Sequence, residues 1–236
     1  MKATISLLFL FILVIGCSSQ EAQNAGNEDE QTEWIVLFDG KTFDGWRGFK
    51  KDVVPEGWVI TENAELYFMG KGKGYIMTDG QYDNFELELE WKISEGGNSG
   101  IFFRVSEDDN AVYRTAPEMQ VLDNAKHKDG KIPEESAGSN YALHAPFADV
   151  TNEVGQYNKI RIIARENHIE HWMNGQKLLE YEIDSPSWKK LVANSKFGKM
   201  PKYGTYSKGH IALQDHGDKV WYRNIRIRTL PSTSTH

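Results

Sequence analysis

The sequence predicts an all-β domain, a two-sheet sandwich or jelly roll, and two observations carry that expectation. Apolar residues recur at every second position over many short segments, and Gly or Asn-Gly turns punctuate them. No stretch sustains a 3.6-residue apolar period; only residues 187–194 suit one helical turn or two. The segments come in order. Trp34-Ile35-Val36-Leu37-Phe38 precedes Asp39-Gly40, and Trp58-Val59-Ile60 leads to Glu65-Leu66-Tyr67-Phe68. Phe85-Glu86-Leu87-Glu88-Leu89-Glu90-Trp91 alternates strictly, as a half-buried strand does. Gly100-Ile101-Phe102-Phe103-Arg104-Val105, residues 118–122, 158–164 and 168–173 follow, and residues 220–228 close the series. Asn174-Gly175 marks a hairpin between residues 168–173 and 177–181, because both central residues of a type I′ turn need positive φ. Asp39 and Asp44, each followed by Gly, read as turn residues.

The N-terminus predicts export. Met1-Lys2 is a short positive start, and residues 5–16 form an uncharged apolar run too short to span a bilayer. Val14-Ile15-Gly16-Cys17 resembles the lipobox of bacterial lipoproteins, so residues 1–16 read as a signal peptide and Cys17 as the lipidation site. Cys17 is the only cysteine, which excludes an internal disulfide. Removal of residues 1–16 takes out Lys2 and moves the formal charge from −7 to −8. Residues 17–32 then form a polar, acidic tether without a large apolar residue. Residues 33–230 are the domain, and 231–236 a short tail. The acidic balance, without a basic stripe, excludes nucleic acid as a partner. The expected location is the bacterial cell envelope, in the periplasm or at the outer membrane. Ser18-Ser19 after Cys17 carries no acidic inner-membrane retention signal.

One pair of segments has polar residues where a strand facing an ordinary core has apolar ones. In Thr115-Ala116-Pro117-Glu118-Met119-Gln120-Val121-Leu122-Asp123, Glu118 and Gln120 share a face. Gly209-His210-Ile211-Ala212-Leu213-Gln214-Asp215-His216-Gly217 reads as its partner, with His210, Gln214 and His216 on one face. A sheet that packs through one side and offers polar groups on the other suits a saccharide. Two long stretches, residues 123–151 and 195–207, interrupt the strand rhythm. Their length and their aromatic residues (Tyr141, Phe197, Tyr203, Tyr206) suit loops over a binding face.

Four motifs in register now make a resemblance specific. They are Leu37-Phe38-Asp39-Gly40-Lys41-Thr42-Phe43-Asp44-Gly45-Trp46, Asn98-Ser99-Gly100-Ile101-Phe102-Phe103-Arg104, Glu118-Met119-Gln120-Val121-Leu122-Asp123, and Leu213-Gln214-Asp215-His216-Gly217 with Trp221 before Arg223-Asn224-Ile225. Over residues 34–228 the chain resembles the 3-keto-disaccharide hydrolase family, which implies a concanavalin A-like jelly-roll sandwich of two antiparallel sheets. It also implies cleavage of glycosides already oxidised at C3, by C2 proton abstraction, elimination and rehydration. A sugar 3-dehydrogenase is the implied pathway partner.

That chemistry needs a base near C2, a donor or cation for the enolate oxygen and an acid for the departing oxygen. Glu118 is the expected base or metal ligand. Arg104 is expected at the oxyanion, or paired with Glu118. His216 has the right titration range for acid–base work. His171, sharing a face with Ile169 and Met173, reads equally as a catalytic group and as a core histidine. Gln120, Gln214, Tyr141 and Asp123 are expected to bind substrate. His144 is a weaker candidate; Lys126, His127 and Lys128 read as solvated. A divalent metal on Glu118 and His216 would suit Mn, Zn or a similar ion, with Ca suiting an all-oxygen loop site. Two other readings stand beside this one. A retaining glycosidase would pair Glu118 with Asp123, which needs a bulge to bring both to one face. A non-catalytic carbohydrate-binding module would use the same polar sheet without converging acids.

Overall fold

A computed structural model describes residues 32–232; the signal segment, the Cys17 motif, nearly all of the tether and the last four residues lie outside the described residues. The described strands are β1 (Ile35–Val36), β2 (Trp46–Gly48), β3 (Trp58–Ile60), β4 (Leu66–Met69), β5 (Ile76–Thr78), β6 (Phe85–Ile93), β7 (Asn98–Val105), β8 (Glu118–Leu122), β9 (Asn158–Arg165), β10 (His168–Met173), β11 (Gln176–Glu182), β12 (His210–Leu213) and β13 (Lys219–Thr229). One helix, α1 (Pro186–Asn194), falls where the sequence suited a turn or two. It starts with Ser185 capping Trp188 N–H and Pro186 in the first turn.

The strands build two antiparallel sheets, a jelly-roll sandwich as expected. The larger runs β11-β10-β9-β6-β13-β4-β3, with β1 also on β13; the smaller runs β2-β5-β12-β7-β8. The β10–β11 hairpin turns on Asn174 and Gly175 at φ of 49° and 82°, both positive as a type I′ turn requires.

Strand β6 shows why the sequence alternates. Its apolar side chains, Phe85, Leu87, Leu89 and Trp91, enter the core between the sheets. Its glutamates turn outward to arginines of β13: Glu86 to Arg228, Glu88 to Arg226 and Glu90 to Arg223. From the smaller sheet, Ile101, Phe103, Met119, Val121, Ile211 and Leu213 meet that same core. Met77, Phe102, Val105 and Ala212 of that sheet form a second apolar cluster with Val112 and Ala116 of the β7–β8 connection. Strands β2 and β5 have no counterpart in the sequence reading. Each has three residues, and β5 is buried on both faces, Ile76 in one cluster and Met77 in the other, so no alternation marks it.

The structure corrects one pairing. Strands β8 and β12 are not neighbours, because β7 lies between them and bonds to both. The long stretch after β8 is also more ordered than a plain loop. It holds short 3-10 helices at Lys128–Lys131 and Pro133–Glu135, then returns along the free edge of β8. There Tyr141 N–H donates to the Glu118 carbonyl, Gln120 N–H to Ser139, and Gly138 N–H to Gln120. An edge covered in this way cannot template pairing with another chain.

Candidate active site

The polar face is built by three adjacent strands. In the β7–β8 ladder, Phe102 is opposite Glu118 and Gly100 opposite Gln120, so these four share the outer face of the smaller sheet. On β12, Ala212 is opposite Phe102, and Gln214 N–H donates to the Gly100 carbonyl one step further on. Glu118 and Gly100 therefore lie on β8 and β7, and Gln214 directly past the end of β12. Gly100 is there for space. A Cβ added to it would sit 2.0 Å from Glu118 Oε1, so the carboxyl occupies the room that a side chain would take.

Glu118 is buried, with 6% of its surface exposed. Its backbone carbonyl is taken by Tyr141, whereas its carboxyl makes no hydrogen bond or ion pair with another described residue. Burial pushes that carboxyl up to about 8, against a smaller pull downward from the Lys196 cation. Lys196 opens the 3-10 helix Lys196–Lys199, and its Nζ lies 3.9 Å from the centre of the Tyr141 ring. Burial lowers the Lys196 ammonium, and Glu118 partly restores it. Gln214 donates through Nε2 to Tyr75 Oη at 3.4 Å, while its own Oε1 is buried without a partner. Burial raises the Tyr75 phenol well above its ordinary value, and the charges of Glu118 and Asp215 add to this. Next to Gln214, Asp215 accepts from Gly74 N–H, yet burial still raises its carboxyl. The face thus carries a buried unpartnered acid, a free amide oxygen, a neutral phenol and a nearby cation.

The other expected site residues are placed elsewhere. Gln120 shares the face, but its amide is spent: Nε2 donates to the Glu135 carbonyl and Oε1 accepts from Val121 N–H. It anchors the long loop. Asp123 is a turn residue whose carboxylate accepts from the N–H groups of Gly96, Ala125 and Lys126. The β7–β8 register runs without a shift from Asn98 to Phe102, so no bulge turns Asp123 toward Glu118, and the paired-carboxylate geometry does not form. His171 is wholly buried. Its Nδ1–H donates to the Gly138 carbonyl at 3.1 Å, its ring packs edge-on to Phe103, and burial pushes it down to about 4. It is a neutral core histidine. Strand β12 ends at Leu213, which leaves His216 in an exposed turn rather than on the strand face. Arg104 does not pair with Glu118; its Nη2 donates to the carbonyls of Asp83 and Glu166. Its φ of 56° breaks the alternation that the sequence reading relied on. Tyr141, from the long loop, lies beside Glu118 and donates its N–H to the Glu118 carbonyl.

A cavity of about 550 Å³ is lined by Arg104, Trp188 and Tyr203, and another of about 370 Å³ surrounds Asp123 and Asp149; Glu118 lines neither. The chemistry identifies the site, because the unpartnered acid is on the strand face. Neither does Glu118 join His216 in a metal-binding group. Among the described residues, the one grouping of three ligand side chains is His168, Glu170 and Glu180 on the larger sheet, where Lys177 already bonds Glu180 at 2.7 Å. Around Glu118 the oxygen donors on this face are its own carboxylate, the Gln214 amide oxygen, the Tyr75 hydroxyl and the Asp215 carboxylate beside Gln214.

A two-sheet jelly roll that sets an unpartnered acid on its outer strand face defines a ligand-handling domain, and the comparisons specify which. The chain belongs to the 3-keto-alpha-glucoside-1,2-lyase-like domain family, whose model matches residues 33–228. It is 39% identical over 228 aligned residues to a 3-keto-disaccharide hydrolase of Bacteroides thetaiotaomicron, covering 84% of this chain and 78% of that one. A Parabacteroides distasonis crystal structure, solved as a candidate glycosyl hydrolase, is 31% identical with a TM-score of 0.77, covering 84% of this chain and 94% of that one. A galectin-like protein of Bacillus subtilis, at 13% identity and a TM-score of 0.55 over 85% of this chain and 96% of that one, shares the fold alone. Tyr75, Lys196 and Asp215 are the site residues that sequence reasoning missed. Tyr75 and Asp215 flank strands too short to signal a face, and Lys196 reaches Glu118 only through tertiary packing.

Proposed function

We propose that this chain cleaves glycosides whose C3 hydroxyl has already been oxidised to a ketone, with Glu118 moving the proton. The observation that supports this reading is the Glu118 carboxyl, buried without a protein partner and raised to about 8. A general base works best when its pKa lies near the working pH. The relatives named as a 3-keto-disaccharide hydrolase and a candidate glycosyl hydrolase support the glycoside-cleaving part.

A C3 ketone acidifies the C2 hydrogen. Glu118, as the carboxylate, takes that proton, and the C–H electron pair becomes the enolate across C2 and C3. The enolate collapses to a C1–C2 double bond, the C3 carbonyl re-forms, and the C1 oxygen leaves and gains a proton. Water adds at C1 while C2 regains its proton, so one water is consumed and a 3-keto sugar and an alcohol are released. Lys196 supplies positive charge near the developing enolate. Gln214 offers an unspent acceptor, and Tyr75, a neutral phenol, holds the Gln214 amide toward a sugar hydroxyl. No step runs through a metal. In this reading Cys17 carries the lipid that holds the protein in the cell envelope, and a sugar 3-dehydrogenase reaction supplies the substrate.

The test incubates the purified protein with a 3-keto-glucoside and, separately, its unoxidised parent, and follows aglycone release. Cleavage of only the keto form, reduced by about 10²- to 10⁴-fold in Glu118→Gln, is the expected result. Equal cleavage of the parent would replace elimination by direct displacement. Binding of both sugars without turnover would make the chain a binding module.

A further inference from the structure

Two segments border the face that carries Glu118. One holds Tyr141 and Lys196, with the Lys196 Nζ over the Tyr141 ring. The other is the β7–β8 connection, which includes the 3-10 helix Val112–Arg114. Val112 and Ala116 pack with Phe102, the residue opposite Glu118 in the ladder, so this connection folds back over the same face. Tyr75 joins it to the acid. Its ring packs edge-on to Phe102 with centroids 5.6 Å apart, and both Glu118 and Tyr113 act electrostatically on its hydroxyl.

Tyr113 is the open ring of this border. It is 41% exposed, while Val112 beside it is wholly buried. Its ring meets no aromatic or cationic group, and its hydroxyl no hydrogen-bond partner, among the described residues. The rings nearer Glu118 are occupied, Tyr141 by Lys196 and Tyr75 by Phe102. Phe147, the other exposed aromatic among the described residues, bonds through its N–H to Leu178 of β11, in the larger sheet. Backbone bonds rather than side-chain contacts hold Tyr113 in place. Thr115 and Ala116 N–H donate to the Val112 carbonyl, and Arg114 bonds Asp109 at 2.6 Å. A ring already fixed and open to solvent loses little freedom when a ligand settles on it.

We propose that Tyr113 is the platform for the departing half of the substrate, so that the site favours glycosides whose leaving group is itself a ring, above all a second sugar. Glu118 marks the keto ring in this assignment, which therefore rests on the cleavage proposed above. C1 neighbours C2, so a ring held with its C2 hydrogen at the buried Glu118 extends its leaving group toward the margin of the face. There Tyr113 offers a flat ring to the C–H face of a sugar and a hydroxyl to its oxygens. The leaving half has to depart into water, which suits an anchor that is itself partly in water.

The test compares maltose oxidised at C3 of its non-reducing ring with methyl 3-keto-α-D-glucoside, which has the same keto ring and no second one. In Tyr113→Ala the ratio of kcat/KM for the disaccharide to that for the methyl glycoside should fall by about three- to tenfold relative to the parent. Tyr113→Phe keeps the ring and should keep most of the preference. An unchanged ratio in Tyr113→Ala, or an equal loss in Tyr113→Phe, would overturn the platform. A parent that turns over neither keto sugar would count against the cleavage reading instead, and calorimetry with maltose and methyl α-D-glucoside then decides the platform. Tighter binding of maltose that is lost in Tyr113→Ala supports it. Tighter binding that persists in the variant, or no difference between the two sugars in the parent, overturns it.

Discussion

Glu86, Glu88 and Glu90 on the larger sheet each face a guanidinium from β13, whereas Glu118 on the smaller sheet faces none. All four are strand carboxylates with side chains largely out of water. For Glu88, burial pushes the carboxyl up, but Arg226 and Lys159 outweigh it and hold it below its ordinary value. For Glu118, burial meets only the more distant Lys196 charge, and the carboxyl rises to about 8. Burial alone therefore does not distinguish a structural acid from a functional one. The partner does, and an acid left without one in a packed sheet is kept for something the protein does not itself contain.

The largest effect expected from breaking this contrast is at Glu118 itself. Glu118→Gln keeps the shape and removes the proton transfer, for the loss of about 10²- to 10⁴-fold in turnover. The pH profile sharpens the assignment. If the carboxylate is the active form, kcat/KM rises with pH and levels off above about 8. A profile that falls through the same region would make Glu118 the acid for the leaving oxygen.

Next in size is Gly100→Ala. The new Cβ would sit 2.0 Å from Glu118 Oε1, so the carboxyl has to move. A displacement of about 1 Å at a reacting group costs on the order of 10²-fold. Turnover should fall by about that much, while thermal unfolding shows an overpacking loss of about 1–3 kcal/mol. Unchanged turnover would show that the Glu118 position over Gly100 is not the working one.

Stability offers a third contrast, with opposite signs at the two kinds of acid. The folded-state value of Glu118 is raised from 4.5 to about 8, so its contribution is fully present below 4.5 and is lost as pH climbs toward 8. Glu118→Gln should therefore unfold at a higher temperature than the parent, by a margin that grows across that window. Glu88, held low, works the other way: its stabilisation is present above 4.5 and is lost as pH falls. A Glu118→Gln margin that stays flat with pH would mean that the carboxyl is not raised.

These contrasts also show what could be read from the chain beforehand. The β6 alternation was legible because its two faces meet different surroundings, and the Glu118–Gln120 face followed from the same period of two. What period could not supply was context. Arg104 follows that alternation in sequence, but its left-handed φ breaks the pattern and ties its guanidinium to loop carbonyls. His216 has the spacing of a strand residue, yet β12 stops at Leu213. Gln120 faces correctly but is consumed by a loop fifteen residues on, at Glu135. Tyr75 and Lys196 come from a strand edge and a single 3-10 turn, elements whose placement depends on the whole core.

The smallest expected effect tests the paired half of the comparison. Arg226 bonds Glu88 through Nη2 at 2.5 Å, with the guanidinium 43% exposed and the carboxylate 12%. A partly exposed pair of this kind contributes about 0–1 kcal/mol, and Lys159 at 3.2 Å remains to hold Glu88 when the arginine goes. Arg226→Met keeps a long apolar stem over the sheet and loses the guanidinium contact over the Trp34 ring, which is itself a small term at a partly exposed site. The melting temperature should therefore drop by no more than about 2–4 °C, the drop should shrink in high salt, and turnover should not change. A larger, salt-independent loss would mean that the Glu88 carboxylate is left unpaired when the arginine is removed. The β13 arginines would then be what separates the larger sheet's acids from Glu118.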